Sequence, residues 1–443
     1  MKRLILSLFV LCAQVSVAYA VEVKEVTSEH GIKAWLVEEH ALPLVVVKVA
    51  FTGSGYAYDA AGKEGRANMT ASLLMEGAGD MDAKSFSEAI ESRAISMTAG
   101  ADEDYFHLSM ETLSDHAETA FSYLALVLTN PRFDAEAIER TRRQMLSIQA
   151  QQEQEPAYQL MESWQKTAFP NHPYSKPPVG TKASVAGLSK DDLQFVVSNM
   201  LTRENIIIAV VGDITPDALK RLLDDQFGNL PAQYMPDTKV EEAVLPAPAA
   251  SAPVVSFDIP QTMVMFGFPS IKREDPAYYA AHVMNHLLGG GGALNSRLGK
   301  ALRGERGLTY GVGTYLDPAP YASTLRGRFA TRNEQAGAAL EVLKSTLKKF
   351  SEEGITQEEL DDAKKFITGS FVLGLDSNTD VANFLINMQV QNLGMDYLNR
   401  RNELMQAVTR DDVMAMAKRI IAEDKLLVVM LGKPSLDKSG QAQ

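Results

Sequence analysis

The apolar positions change period in an order that repeats along the chain. Val21 to Val26 and Lys33 to Glu38 predict short strands around the turn at His30-Gly31. Leu44 to Phe51 is a nearly unbroken β-branched run, the pattern of a strand in the middle of a sheet with both faces covered. From Gly65 the spacing of Ala67, Leu73, Leu74, Phe86, Ile90 and Ile95 is helical, and a turn from Gly77 to Met81 divides it into two helices. Asp104 to Leu113 alternates, with Tyr105, His107, Ser109 and Glu111 opposite Phe106, Leu108 and Met110, so one face of this strand is polar. Helices follow from Asp115 to Thr129, ended by Asn130-Pro131, and from about Asp134 through Gln152. Asn205 to Val211 predicts a buried strand closed by Gly212, and Thr215-Pro216 opens a helix that runs to Phe227.

The segment 231–254 carries repeated prolines and alanines without a periodic apolar face, and it reads as a linker. Beyond it the order starts again. Met263 to Phe268 predicts a strand, Tyr278 to Leu288 a helix, Gly289 to Gly292 a loop and Leu294 to Leu302 a helix. Strands follow around Tyr310 to Leu316 and Ser323 to Ala330, then helices from Asn333 to Glu353 and Thr356 to Leu373. A last strand from Lys425 to Leu431, closed by Gly432, echoes Asn205 to Val211 closed by Gly212. The fold class expected is α+β: two homologous domains of mixed sheet and helix, about 200 residues each, related by internal duplication. Their bounds are 21–230 and 255–437, with 438–443 as a tail.

Composition adds an address. Lys2 and Arg3, the mostly apolar Leu4 to Leu11 and the small-residue end Ala18-Tyr19-Ala20 make residues 1–20 a secretory signal, so the protein is expected to be exported, and periplasmic in a Gram-negative bacterium. No later stretch is long and apolar enough for a membrane span. Cys12, the one cysteine, lies within the leader, so the mature chain can form no disulfide. The chain has 43 basic and 56 acidic side chains for a net charge of −13, which becomes more acidic when the leader takes Lys2 and Arg3 with it. Such a balance argues against nucleic acid and anionic membrane surfaces as partners.

The candidate chemistry lies in two stretches. Gly65 to Gly79 holds Gly65, Ala67, Leu73, Leu74, Gly77 and Ala78 in a frame around Asn68, Ala71 and Ser72. In the second half stand Ser296-Arg297-Leu298 and then Leu302-Arg303-Gly304-Glu305-Arg306-Gly307-Leu308-Thr309-Tyr310. Together these resemble the pitrilysin/insulinase family of zinc peptidases, and the likeness covers nearly the whole mature chain. In that family the first frame carries His-x-x-Glu-His, two imidazoles one turn apart that hold zinc and a Glu that activates water. The resemblance places Asn68, Ala71 and Ser72 at those three positions, where they supply neither metal ligands nor a base. The family's third ligand, a Glu, falls within Ser147 to Gln149, which contains no carboxylate. The second stretch implies that Arg303 and Tyr310 are retained, to grip a peptide carbonyl and to donate to the oxyanion of a tetrahedral intermediate. On residues alone, Arg303 as a helix-end cap or ion pair and Tyr310 as a packed strand residue is the competing reading.

The resemblance implies a non-catalytic subunit of a two-chain peptidase. This chain would bind no cofactor, and zinc is expected on a paralogous partner in a heterodimer that shares a peptide substrate. A homodimer of the isolated chain, or an inert peptide-binding or structural module of the same fold, is the alternative. Gly289, Gly290, Gly291 and Gly292 are expected to contact peptide, since the family's glycine segment lies near its substrate chamber. No Gly-Lys-Ser/Thr follows them, which argues against a phosphate loop. His282 and His286 have a metal-like i, i+4 spacing, but Val283, Met284 and Asn285 between them and Leu287-Leu288 beyond favour a core or interface helix.

Overall fold

The structure, a computed structural model, describes residues 22–248 and 252–436. The leader with Cys12, and the tail, lie outside the described residues. The first half contains strands β1 (Lys24–Thr27), β2 (Lys33–Glu38), β3 (Leu44–Thr52), a two-residue hairpin of β4 (Gly77–Ala78) and β5 (Met81–Asp82), then β6 (Ser96–Ala101), β7 (Tyr105–Leu113) and β8 (Ile206–Gly212). Its helices are α1 (Arg66–Leu73), α2 (Ala83–Glu91), α3 (Ala117–Thr129), α4 (Ala135–Gln152), α5 (Pro156–Ala168), α6 (Lys182–Gly187), α7 (Lys190–Phe195) and α8 (Pro216–Phe227). The second half contains β9 (Val254–Ser256), β10 (Gln261–Pro269), β11 (Val312–Pro318), β12 (Ser323–Arg332) and β13 (Leu427–Gly432). Its helices are α9 (Tyr278–Leu288), α10 (Ala336–Glu353), α11 (Gln357–Phe371), α12 (Asn378–Val390), α13 (Tyr397–Ala407) and α14 (Arg410–Ile420).

The duplication is plain in the sheets. One runs β1-β2-β8-β3-β7-β6 and the other, read from its far edge, β9-β13-β10-β12-β11. In each, the strand that closes the half pairs antiparallel with the central strand on one side and parallel with a short strand on the other. Both closing strands end in a glycine at positive φ, Gly212 at 140° and Gly432 at 131°. A Cβ on Gly212 would come within 2.0 Å of the Leu44 carbonyl oxygen, so glycine is needed for the strand to close there.

The two halves exchange helices. α5, from the first half, packs on β13 and β10 of the second, while α12, from the second half, packs on β8 and β3 of the first. Trp164 of α5 is fully buried against Gly267, where a Cβ would come within 2.8 Å of the indole. In return Ala382, Leu385 and Met388 of α12 form one cluster with Val46, Ala209 and Val211. This explains why the β3 run is apolar on both faces but for Lys48: Val45, Val47 and Val49 face the core of their own half, and Val46 faces the visiting helix.

Local details differ from the sequence expectation at three places. Residues 299–304 form a single π-helical segment where a helix from Leu294 to Leu302 is expected. Ile95 is not helical, and the edge strand β6 follows it, too small and polar in composition to announce itself. Tyr310 precedes β11 and does not belong to it.

Candidate functional site

α1 is set in place by buried charge. Asp59 accepts hydrogen bonds from the backbone N–H groups of Gly65 (2.8 Å) and Ala67 (3.0 Å), an anion at the positive end of the helix. Burial pushes its carboxyl up to about 7, against the opposing pull of Arg66 and those two N–H groups. Arg66, itself buried, makes a bidentate pair with Asp237 at 2.6 and 2.8 Å, which straps the segment after α8 onto the start of α1. Gly65, at φ 91°, allows the Val179 carbonyl to approach: a Cβ would meet its oxygen at 2.9 Å.

That approach determines what the zinc-motif positions do. The Asn68 amide donates to the Pro178 carbonyl at 2.9 Å, and the Gln149 amide, on α4, donates to the Val179 and Gly180 carbonyls at 3.0 Å each. Of Ser147 to Gln149, Gln149 is the one whose side chain is buried, and α4 packs directly on α1. Asn68 and Gln149 therefore converge on one loop, 178–180. Ser72 turns its hydroxyl back to the Asn68 carbonyl at 2.9 Å, and Ala71 is a buried methyl. A Zn²⁺ ion requires convergent lone pairs from imidazole, carboxylate or thiolate. These residues present amide hydrogens to carbonyls, one committed hydroxyl and a methyl, and the set does not fit zinc. Among the described residues no group of three or more His, Cys, Asp or Glu is placed to hold a metal. The edge strand β6 runs alongside α1, so the helix borders an unpaired strand edge.

The second stretch is built as a display. Leu298, Leu302 and Leu308 are buried and anchor it, Arg297 pairs with Glu359 at 2.8 Å, and Gly307 turns the chain at φ 58°. Arg303 and Tyr310 point outward from this base. The Tyr310 side chain is 90% exposed, and the Arg303 guanidinium carbon lies 5.8 Å from its ring centroid. Arg303 makes no ion pair among the described residues; the neighbouring Glu305 is taken by Arg306 at 2.6 Å. The geometry thus answers to neither half of the competing reading, in which Arg303 caps and Tyr310 packs. No hydrogen bond or ion pair among the described residues links this pair to α1.

The glycine loop begins where α9 ends. A Cβ on Gly289 would meet the Thr314 hydroxyl oxygen at 2.9 Å, whereas Gly291 and Gly292 are exposed at φ 64° and 70°. Among the described residues His282 and His286 form no ion pair with a carboxylate. Burial, helped by the Arg401 charge, lowers His282 to about 4, and His286 stacks on Phe366 at 5.0 Å.

A model of the insulinase family, peptidase family M16, matches residues 40–182, and a model of the peptidase M16 inactive domain matches residues 187–367. The chain belongs to the insulinase (M16) family. It is 30% identical over 337 residues to a Helicobacter pylori protein named a non-peptidase homolog, YmxG, covering 75% of this chain and 76% of that one. The crystal structure of a peptidase M16 inactive domain from Pseudomonas fluorescens superposes with a TM-score of 0.86 at 28% identity, covering 93% of this chain and 98% of the other. The periplasmic protease PqqL of Escherichia coli shares the fold, with a TM-score of 0.80 at 15% identity over 94% of this chain and 46% of its own. Two M16 domains of mixed sheet and helix, as the duplicated pattern predicts, make up the described chain. Among its described residues no helix is long and apolar enough to cross a membrane.

Sequence reasoning located the frame of both stretches but missed the clamp on loop 178–180. Asn68 and Pro178 are far apart in the chain, and only Gly65 and Gly180, both at positive φ, hint at a close approach.

Proposed function

We propose that this chain is the non-catalytic subunit of an exported two-chain zinc peptidase. It lends half of a peptide-binding chamber, together with Arg303 and Tyr310, to a paralogous partner that carries the zinc motif. The observation that carries the reading is the pairing of an exposed, otherwise uncommitted Arg303/Tyr310 with an α1 whose metal positions are chemically inert. A phenol and a guanidinium suit the oxyanion and the backbone of a peptide undergoing hydrolysis. They need a nucleophile from elsewhere. The edge of β6 beside α1 gives an extended peptide a strand to pair with, and Gly291 and Gly292 offer an unobstructed backbone rim. That PqqL uses less than half its length for this fold agrees with a peptidase built from two such units.

The decisive experiment is co-purification with native partners, followed by peptidase assays of the chain alone and of the complex on unfolded peptides. The expected result is no activity alone and activity in the complex that depends on Tyr310. Full activity of the complex after Tyr310→Phe would remove the role assigned to this chain. The amide clamp on loop 178–180 favours a second reading, an inert peptide-binding or structural module, and isolation without a zinc-bearing paralogue would support it.

A further inference from the structure

The polar face of β7 looks across the seam between the halves. α12 covers part of the sheet there and leaves a cavity of about 630 Å³, within the usual range for small-ligand sites. Its walls carry charges of both signs, and apart from the Arg326–Asp317 pair they do not pair with each other among the described residues. Lys48 rises from the middle of β3, and among the described residues it has no carboxylate within ion-pair distance. Across the seam, Arg273 is only 7% exposed and also lacks a carboxylate. Its Nε donates to the Gln391 side-chain oxygen (3.0 Å) and its Nη2 to the Tyr397 hydroxyl (3.1 Å), while Nη1 makes no hydrogen bond among the described residues. The rings of Tyr278 and Tyr279 hold the guanidinium at 4.1 and 5.2 Å from their centroids, so it cannot swing away to find a partner.

The opposite charges lie at the β6–β7 turn and beside Arg273 in the chain. Asp104 and Asp317 are committed, one to the Tyr174 hydroxyl at 2.8 and 2.9 Å and the other to Arg326. Glu103 and Glu274 also line the cavity and have no cation within ion-pair distance among the described residues; Asp102 has none either, but its Oδ1 already accepts from the backbone N–H groups of Asp104 (2.9 Å) and Tyr105 (2.7 Å). A buried, unmatched guanidinium is costly unless a counter-charge reaches it. Two cations and three carboxylates without an ion-pair partner line one cavity, and together they complement a ligand that carries both charges.

We propose that this cavity binds a short zwitterionic peptide of two or three residues. The peptide's carboxylate lies against Arg273 and Lys48, and its ammonium group against Asp102, Glu103 or Glu274. The side-chain amide of Asn383 on α12 lines the cavity beside it, as does that of Asn387, whose Nδ2 donates to the Asn383 carbonyl at 2.8 Å and leaves its oxygen to accept. Neither Arg303 nor Tyr310 lines this cavity, so the site stands independently of the function proposed above.

Calorimetric titration of the whole chain with Ala-Ala-Ala, N-acetyl-Ala-Ala-Ala and Ala-Ala-Ala-amide tests it. Saturable one-to-one binding of the free peptide is expected, with each blocked form at least about tenfold weaker. Lys48→Met should weaken the free peptide at least about fivefold while the melting temperature holds or rises, and Tyr310→Phe should leave binding unchanged. Absence of binding at millimolar free peptide, equal affinity for the blocked forms, or loss of binding in Tyr310→Phe but not in Lys48→Met would each overturn the proposal. Arg273→Gln is read alongside its melting temperature; a folded variant that binds normally would also overturn it.

Discussion

Arg303 and Tyr310 stand side by side at the surface, guanidinium carbon to ring centroid 5.8 Å, and neither side chain is tied by an ion pair or hydrogen bond to any other described residue. A pair so exposed adds little to folding. Tyr310→Phe should change stability by no more than about 0.5 kcal/mol in urea denaturation. On the proposed function, the same change in the reconstituted complex should lower kcat/KM at least about tenfold, the loss expected when an oxyanion donor is removed. Arg303→Lys should be almost as damaging, because an ammonium cannot reproduce the planar fork.

The amide of Gln149 serves two carbonyls, so its replacement by a carboxylate should be destabilising. Gln149→Glu leaves the Val179 and Gly180 oxygens without a donor and adds a buried charge. A loss of about 2–4 kcal/mol at neutral pH is expected. It should be smaller at about pH 4.5, where a protonated Glu can donate one bond again. Denaturant titrations at the two pH values check this.

Asp104 gives the seam a pH dependence of defined sign. It is 5% exposed, and burial raises its carboxyl to about 7 despite the Tyr174 hydroxyl bond. The folded protein therefore holds this proton more tightly than the unfolded chain, whose carboxyl titrates near the ordinary value of 3.8. The contribution is fully present below that value and is lost as pH rises through about 7. Compared with Asp104→Asn, the unaltered protein should lose a few degrees of melting temperature between about pH 4.5 and about pH 7.5. Parallel curves for the two proteins would contradict the assignment.

Trp164 joins the halves. Trp164→Ala should cost about 3–5 kcal/mol. Gly267→Ala should also destabilise, because the new methyl would lie 2.7 Å from the Leu325 carbonyl oxygen and 2.8 Å from the indole. Calorimetry of both variants should show one cooperative transition at lower temperature. Two separate transitions would mean that the halves fold independently of the exchange.

Much of this architecture is legible in the sequence where one face or one period dominates. Leu44 to Phe51 and Asn205 to Val211 reveal themselves by dense β-branched content and Lys425 to Leu431 by a continuous apolar run, and the glycines closing the latter two mark the repeat. β6 escaped because an edge strand of Ser96-Met97-Thr98-Ala99-Gly100-Ala101 needs little apolar surface. The role of α12 escaped for a different reason. Its apolar residues answer to a sheet built from the other half, a relation that no local period encodes. At the site, the missing ligands could be read from residue types, but the use of Asn68 and Gln149 could not, because the carbonyls they serve are supplied by loop 178–180.

The exchange of α5 and α12 also sets the order in which the chain can mature. The β3 face of the first sheet waits for residues 378–390, which leave the ribosome near the end of synthesis. Until then the first half has exposed apolar surface and no finished fold. A nascent chain in this condition reaches its native form only after almost all of it has been made, whichever half is finished first.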